Sequence, residues 1–597
     1  SQYSIGDHVM VEFTRGTFDE LAGEFYIPQG DHDRGFESLY DGLVALHTAG
    51  VAGEVIFLID DDLDERWDDL EITYPGFTED NSFTIKPAAG KTPTIVFNGT
   101  FYIEGADYIT IDGSNNDSDE RHLTFLYDDA GAAAFWIAGN SHYITLKNTI
   151  ILNTFDDPAT YGSGGVRVRR DDAATVRPTN VVISNCQVGS VDNPFKDGMQ
   201  MWGTGSPILR VQADAIDNDI YATHRGITTF YMEESVYDGN TIHITGQHEA
   251  PAWYAGVYLA GGDNMQVINN DIRLLGANDP GGSYVAGVNI NLNAGYNDIY
   301  NNFITATEDF INYGGTDDNM IFAVATHREG AGEEYNIYHN SVNLFETGQT
   351  GASAAIGWIG QTATGAEFEM INNIFINHRN AENAYAIYWP LSTVPVSDYN
   401  NLYTPGENAN VGYFDDDVFA TVGDWQFGAD LDHNSVSIDV LFESAVDLRL
   451  TGDSVGDERL AGIPLELVET DIDGNVRDIN APYMGAYEAP VSLTTDDIAD
   501  DRLPREFQLH QNYPNPFNPS TTIQFAIPEQ VNVRLEVYNM LGQRVNVLLA
   551  DETLQPGIHS VVWHGVNDHN VPVSSGTYIY RIVAGDFVES KQMIFLK

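Results

Sequence analysis

The segment AIDNDIYATHRG brings Asp217, Asp219, His224 and Arg225 within nine residues. Carboxylates beside an imidazole and a guanidinium are the groups that serve acid–base attack on a glycosidic bond. These four are the candidate catalytic residues. A second His–Arg pair sits at His327-Arg328. Both sets also read as salt-bridged surface groups, which a chain with 88 acidic residues produces without any call for chemistry. In DIDGN, Asp471, Asp473 and Asn475 are candidate Ca2+ ligands, and structural Ca2+ is the one cofactor the sequence suggests. The EF-hand spacing wants glycine sixth in the loop, whereas Gly474 is fourth. The alternative has Arg477 pairing with one of these aspartates to pin a closing coil. Cys186 is the only cysteine, so an intramolecular disulfide is excluded, and VVISNCQV reads as a buried small hydrophobe.

The elements that must position such groups repeat. Met265 begins MQVINNDIRLL, Asn297 NDIYNNFITA, Tyr335 YNIYHNSVNLF and Phe368 FEMINNIFINH. Their aligned asparagines, Asn270, Asn302, Asn340 and Asn373, are spaced by 32, 38 and 33 residues. Three residues before each stands Val267, Ile299, Ile337 or Met370, and two after it Ile272, Ile304, Val342 or Phe375. Weaker copies carry Asn148, Asn185, Asn218 and Asn240. A period of this length marks a solenoid, and strand-type alternation without a helical stripe makes it a β-solenoid. Asparagine suits one corner of each coil because it tolerates a left-handed backbone and its amide can bond to the copies above and below. The four asparagines are therefore expected as a structural ladder.

Composition narrows the function classes. With 43% hydrophobic residues the chain is globular, and 597 residues allow two or more domains. It carries 27 basic against 88 acidic residues, a net charge of −61, and only six lysines. Such a surface repels phosphate backbones and anionic lipid, which excludes nucleic-acid partners. No apolar run is long enough to span a bilayer, so membrane insertion is not expected. Concentrated salt suits this charge, since the Debye length falls to about 3 Å at 1 M; a halophilic setting is expected, with an ordinary acidic secreted protein as the alternative. The first residue is Ser1, as in a mature form whose leader has been removed.

The last ninety or so residues carry the most specific pattern. LHQNYPNPFNPSTTIQFAIP from Leu509 leads into VRLEVYNMLGQRV and closes on SGTYIYRIVAGDFVESKQMIFLK. This resembles the type A sorting domain of cargo carried by the type IX secretion system of Gram-negative bacteria. The resemblance implies export to the outer surface or beyond, handling by the secretion machinery, and an immunoglobulin-like fold. The residues agree: Val533, Leu535 and Val537 alternate with polar partners, Asn539-Met540-Leu541-Gly542 turns the chain, and Tyr578, Tyr580 and Ile582 alternate again.

The repeat region resembles the right-handed parallel β-helices of the pectate-lyase-like superfamily. That resemblance implies a short N-terminal helix plugging the first coil, and Phe36 to Leu46, with Leu39, Leu43 and Leu46 on one side, supplies it before EVIFLI. SDYNNLYTPG and TDIDGNVRDINAPYMGAYE are expected to close the other end. Superfamily enzymes mostly cleave acidic polysaccharides, and their hydrolase motifs N-T-D, G-H-G and R-I-K are missing here. The expected fold class is all-β, organised as an extension strand over residues 1–20, a capped β-helix over 21–490, an acidic linker over 491–506 and a sandwich over 507–597. The function expected is a secreted, non-enzymatic structural or adhesive protein that self-associates, extending to an extracellular filament. A polysaccharide lyase or hydrolase, or a carbohydrate-binding module with a polysaccharide partner, is the alternative. For assembly, the strand-like segment His8, Val9, Met10, Val11 and Phe13 is expected to pack on the tail or rod end of the next subunit, or else on its own first coil.

Overall fold

Alternating apolar and polar residues set the strands, because a pleated chain sends successive side chains to opposite faces. The computed structural model describes residues 20–66, 70–116, 118–128, 133–154, 164–170, 176–205, 210–246, 254–276, 285–291, 293–306, 320–326, 333–345, 352–358, 366–380, 383–391, 393–489, 507–509, 512, 521–528, 530–540, 542–554, 557–563, 565–567, 573–585 and 587–595. The chain divides into two compact units, Ser1–Pro490 and Val491–Lys597. The segment His8 to Phe13, the pair His327-Arg328 and the acidic stretch 491–506 lie outside the described residues.

In the first unit, Tyr296–Tyr300, Phe303–Ala306 and Ile321–Thr326 make one turn, and Glu334–Tyr338, Ser341–Leu344 and Ser353–Trp358 make the next. Each strand pairs in parallel with its counterpart one turn on. The result is a β-helix-like solenoid with three faces. Face I is a 13-stranded sheet running from Leu21–Ile27 to Val396–Asp398. Faces II and III belong to one 24-stranded sheet. The strand Asp219–Phe230 bends through both: its start pairs with Thr241–Ile244 on face II and its end with Tyr254–Ala260 on face III.

Val267, Ile299, Ile337 and Met370 fall in register on face I, and Ile272, Ile304, Val342 and Phe375 on face II. All eight are fully buried, and each contributes about 1.5–3 kcal/mol of transfer free energy. Opposite them runs a column of glycines. Gly165, Gly198, Gly226, Gly256 and Gly287 stack coil on coil, and a Cβ on any of them would stand 2.1–2.3 Å from a methyl of Val188, Ile220, Ile242, Ile272 or Ile304. In these five coils face III closes on face II over a hydrogen, and in the flanking coils the small side chains of Ala134, Ala323, Ala355 and Ala386 fill the position.

The helix Leu39–Ala49 buries Leu39, Leu43 and Leu46 and exposes Tyr40 and Val44. Ser38 caps its start by accepting from the Asp41 N–H at 3.0 Å. The buried Glu65 carboxylate accepts from the Leu39 N–H at 2.6 Å, placing negative charge at the positive end of the helix. Gly42 lies against Phe57, where a Cβ would come within 2.7 Å of the ring.

SDYNNLY supplies the last regular strands of faces I and II, Val396–Asp398 and Asn401–Tyr403. The chain then turns through the short helix Val422–Gly428, which buries Trp425 against Gly412, Phe414 and Phe419. Beyond it the segment up to Ala489 folds back along the outside of faces I and II. Val440, Leu450, Leu460 and Met484 cover Ile374 and Ile376, while Val468 covers Tyr338 and Ile371.

The second unit is built of two antiparallel sheets. Gln508–Leu509, Thr521–Ile527 and Gly557–Trp563 form one. Arg544–Leu554, Val531–Asn539, Gly576–Ala584 and Phe587–Phe595 form the other, in that order. Ile523, Phe525 and Ile527 share one core with Val533, Leu535, Val537, Tyr580 and Ile582. The Y-N-x-L-G-Q turn has a mechanism: Asn539 and Gln543 clasp each other through backbone and side-chain bonds of 2.9–3.0 Å, and Gly542 takes φ 76°.

Candidate functional site

Two positions, not one, shape the corner between faces I and II. Asn269, Asn301, His339 and Asn372 take φ of 51–61°, so the left-handed residue precedes the asparagine to which the repeat assigned it. The following residue carries the ladder. Asn270 Nδ2 donates to Asn302 Oδ1 at 3.0 Å, Asn302 to Asn340 at 2.9 Å and Asn340 to Asn373 at 3.1 Å. The same acceptor oxygen also takes the backbone N–H of the residue below. The row starts at Asn218 and Asn240 and ends on Asn400. Asn148 and Asn185 occupy the left-handed position instead, at φ 55° and 48°. Their coils fill the ladder row with Thr149 and Cys186, whose hydroxyl and thiol lie 3.2 Å apart. Burial raises the Cys186 thiol pKa.

At its far end the ladder meets a carboxylate. Asn400 Nδ2 donates to Asp432 Oδ1 at 3.0 Å, and Trp425 Nε1 donates to Asp432 Oδ2 at 2.9 Å. Asp432 is 1% exposed and burial raises its pKa against these donors. Every amide in the row points its N–H toward this end, so the positive end of the aligned dipoles faces the carboxylate.

The four candidate catalytic residues do not converge. Asp217 forms the corner at φ 55°, its pKa raised by burial and by the Asp238 and Asp119 carboxylates. Asp219 opens the face II strand and pairs with Arg121 at 3.3 Å. His224 is 2% exposed, with Nδ1 3.2 Å from the Thr223 hydroxyl and its ring stacked 5.3 Å from Tyr254. Arg225 lies on face III and binds the buried Asp197 through Nε at 3.0 Å and Nη2 at 3.3 Å.

Asp471, Asp473 and Asn475 form a tight loop closed on itself. Asp471 Oδ1 accepts from the N–H groups of Asp473 and Asn475, and Oδ2 from the Glu488 N–H and the Asn475 amide. Asp473 pairs with Arg449. Among the described residues no group of three or more His, Cys, Asp or Glu side chains is placed to hold a metal ion. Arg477 does not pair with these aspartates. It binds Glu488 at 3.3 Å, the carbonyls of Thr470, Tyr483 and Gly485, and Asn301 Oδ1 at 2.7 Å. Desolvation lowers its pKa to about 10, with Glu488 and Asp471 opposing.

The outward side of face I carries an open groove of about 380 Å3, lined by Glu234, Val236, Asn264, Gln266, Tyr296 and Asp298. Val236, Gln266 and Asp298 stand in register on three successive strands. Asp298, 8% exposed, accepts from Gln266 Nε2 at 3.1 Å and from Asn336 Nδ2 at 2.8 Å. Glu234, Asn264 and Tyr296 form an exposed rim, with Tyr296 at 59%. The chain reaches this rim through left-handed corners at Glu234 (φ 47°), Asn264 (φ 55°) and Gly295 (φ 66°). No sequence motif flagged these residues. Only the repeat register, extended outward from the buried positions, would have aligned them.

Residues 511–596 match the family described as the secretion system C-terminal sorting domain. The tail is a type IX sorting domain. It marks the chain as a type IX secreted protein of Bacteroidetes, extracellular or on the cell surface. Among the described residues no helix is long and apolar enough to cross a membrane. The sorting domain also implies contact with the secretion machinery during export. No curated protein matches the chain. Dimeric latent PorU from Porphyromonas gingivalis is 22% identical over 20% of this chain and 12% of its own, with a TM-score of 0.14. Two structures of PfbA, a surface adhesin of Streptococcus pneumoniae, are 11% and 12% identical. They cover 56% and 59% of this chain and 89% and 94% of their own, each with a TM-score of 0.27.

Proposed function

We propose that the chain is a non-enzymatic structural or adhesive surface protein: a right-handed parallel β-helix, plugged by the helix Leu39–Ala49 and carried out of the cell by an immunoglobulin-like sorting domain. The observation that carries this reading is the commitment of the chemistry-bearing side chains to the scaffold. Asp219 neutralises Arg121, Arg225 binds Asp197, and the carboxylates of the DIDGN loop are occupied by backbone N–H groups and Arg449. What the coils add is stacked surface rather than a reaction centre. Head-to-tail assembly extends the reading to a filament. The sorting domain offers the outer edge of Phe587–Phe595, where Val588 and Ile594 are exposed, and an extended segment such as His8 to Phe13 of a second copy would add a strand there.

Purified chain in molar salt, imaged by negative-stain electron microscopy and incubated with neutral and acidic polysaccharides, tests this. Fibres together with no release of reducing ends or unsaturated uronides are expected. Release of either product overturns the non-enzymatic reading, and monomers at every concentration overturn the filament.

A further inference from the structure

We propose that the groove on face I binds an uncharged, hydroxyl-rich glycan chain. This deepens the adhesive reading by naming what the surface would hold, but it concerns a site that no catalytic candidate touches. Three independent observations converge there. First, the groove spans three strands, about 10 Å at the spacing of a parallel sheet, and its volume falls at the lower end of small-ligand sites. Second, the Tyr296 ring is 59% exposed and its hydroxyl bonds to nothing among the described residues. An aromatic face left open beside polar groups is the surface that stacks on the C–H face of a pyranose.

Third, Glu234 holds a left-handed backbone, φ 47°, as Tyr108 and Tyr143 do at the same edge of earlier face I strands, and it stands beside the groove. The neighbouring coils place Asn264 and Gly295 at this corner, residue types that tolerate it. The Glu234 side chain is exposed on the rim, where its carboxylate makes no hydrogen bond or ion pair among the described residues. Below it Asp298 fixes the Gln266 amide, and Val236 supplies an apolar floor. Carboxylate and amide oxygens take the hydroxyl protons of a sugar, and the amide N–H groups serve its ring and glycosidic oxygens.

Charge excludes anionic glycans. Arg210 on the neighbouring turn is already paired with Asp263, and Glu334, Glu367 and Glu369 add carboxylates on the next strands. A uronate or sulfated chain would enter a field of its own sign.

The test uses the full chain in molar salt, titrated calorimetrically with neutral oligosaccharides of the glucan, mannan and xylan types, with chitosan oligomers and with polygalacturonate. A neutral oligosaccharide is expected to bind, and polygalacturonate not to. Tyr296→Ala should weaken binding by about tenfold or more. Glu234→Gly should weaken it comparably while leaving the thermal midpoint level or higher, since glycine relieves the corner. A merely structural role for Glu234 would lower the midpoint instead. Binding of chitosan alone, binding unaffected by both substitutions, or no neutral glycan bound by the folded chain overturns the proposal. Glycan binding by a protein that proves absent from the cell surface would leave this site standing and remove only the adhesive reading.

Discussion

His339 shows how one buried residue ties the returning segment to the solenoid. Its Nδ1–H donates to the Tyr483 carbonyl at 3.0 Å, and its Nε2 accepts from the Asn372 amide at 2.9 Å. This neutral tautomer is held by burial, with the Arg477 guanidinium as a second cause, and the folded pKa lies well below the usual imidazole value. The unfolded chain takes up a proton as pH falls through about 6.5 and the folded chain does not, so stability is lost below that pH at up to about 1.4 kcal/mol per unit. Thermal midpoints between pH 7.5 and 5.5 should therefore fall further for the native chain than for His339→Gln. Parallel curves would show that another group carries the dependence. None of this was legible in YNIYHNSVNLF, where the repeat aligned His339 with asparagines but gave no sign of the distant segment that fills the corner. Asn270, Asn302, Asn340 and Asn373 were legible because their spacing repeats; the left-handed duty of the preceding residue was not, because Asn, His and Gly all serve it.

At the scale of elements, the glycine stack sets how closely face III approaches face II. Gly256→Val would drive its methyls into Ile272 and the Gly287 carbonyl, contacts that a Cβ alone already brings to 2.3 and 2.7 Å. Overpacking of this kind costs about 1–3 kcal/mol, and more where the neighbours are themselves stacked. A urea midpoint lowered at unchanged slope is the expected result, and an unchanged midpoint would mean that the coil can shift to make room. The stack escaped the sequence reading because lone glycines punctuate turns as readily as they line a close approach. The strand alternation of the sorting domain, by contrast, was plain from Val533, Leu535 and Val537, since its half-buried sheets keep a strict period of two.

The whole molecule is governed by its charge. A net −61 leaves most carboxylates without a cation, because only 27 basic residues are available. Self-repulsion at that density is long-ranged in dilute buffer and confined to about 3 Å at 1 M salt. The thermal midpoint should climb between low and molar sodium chloride, by more than the few degrees typical of an ordinary acidic protein. A flat profile would dismiss salt adaptation whatever the ligand proves to be. Composition made this scale readable at once, and the sorting motif made the destination readable. The groove was not, since it is written in outward-facing residues that share no type.

The amide row has a mechanical consequence. Tension applied along the solenoid axis loads the coil junctions in series, and neighbouring junctions share the same kind of parallel backbone bonds. They differ in the side-chain cord between them. From Asn218 to Asn400 that cord is amide to amide, ending on an ionisable anchor at Asp432. Between the coils of Thr149 and Cys186 that row is a hydroxyl against a thiol, and the amide pair sits one residue back, Asn185 Nδ2 donating to Asn148 Oδ1 at 2.8 Å. Under load the amide clamp therefore continues across this junction, displaced by one residue, rather than ending at Asn218.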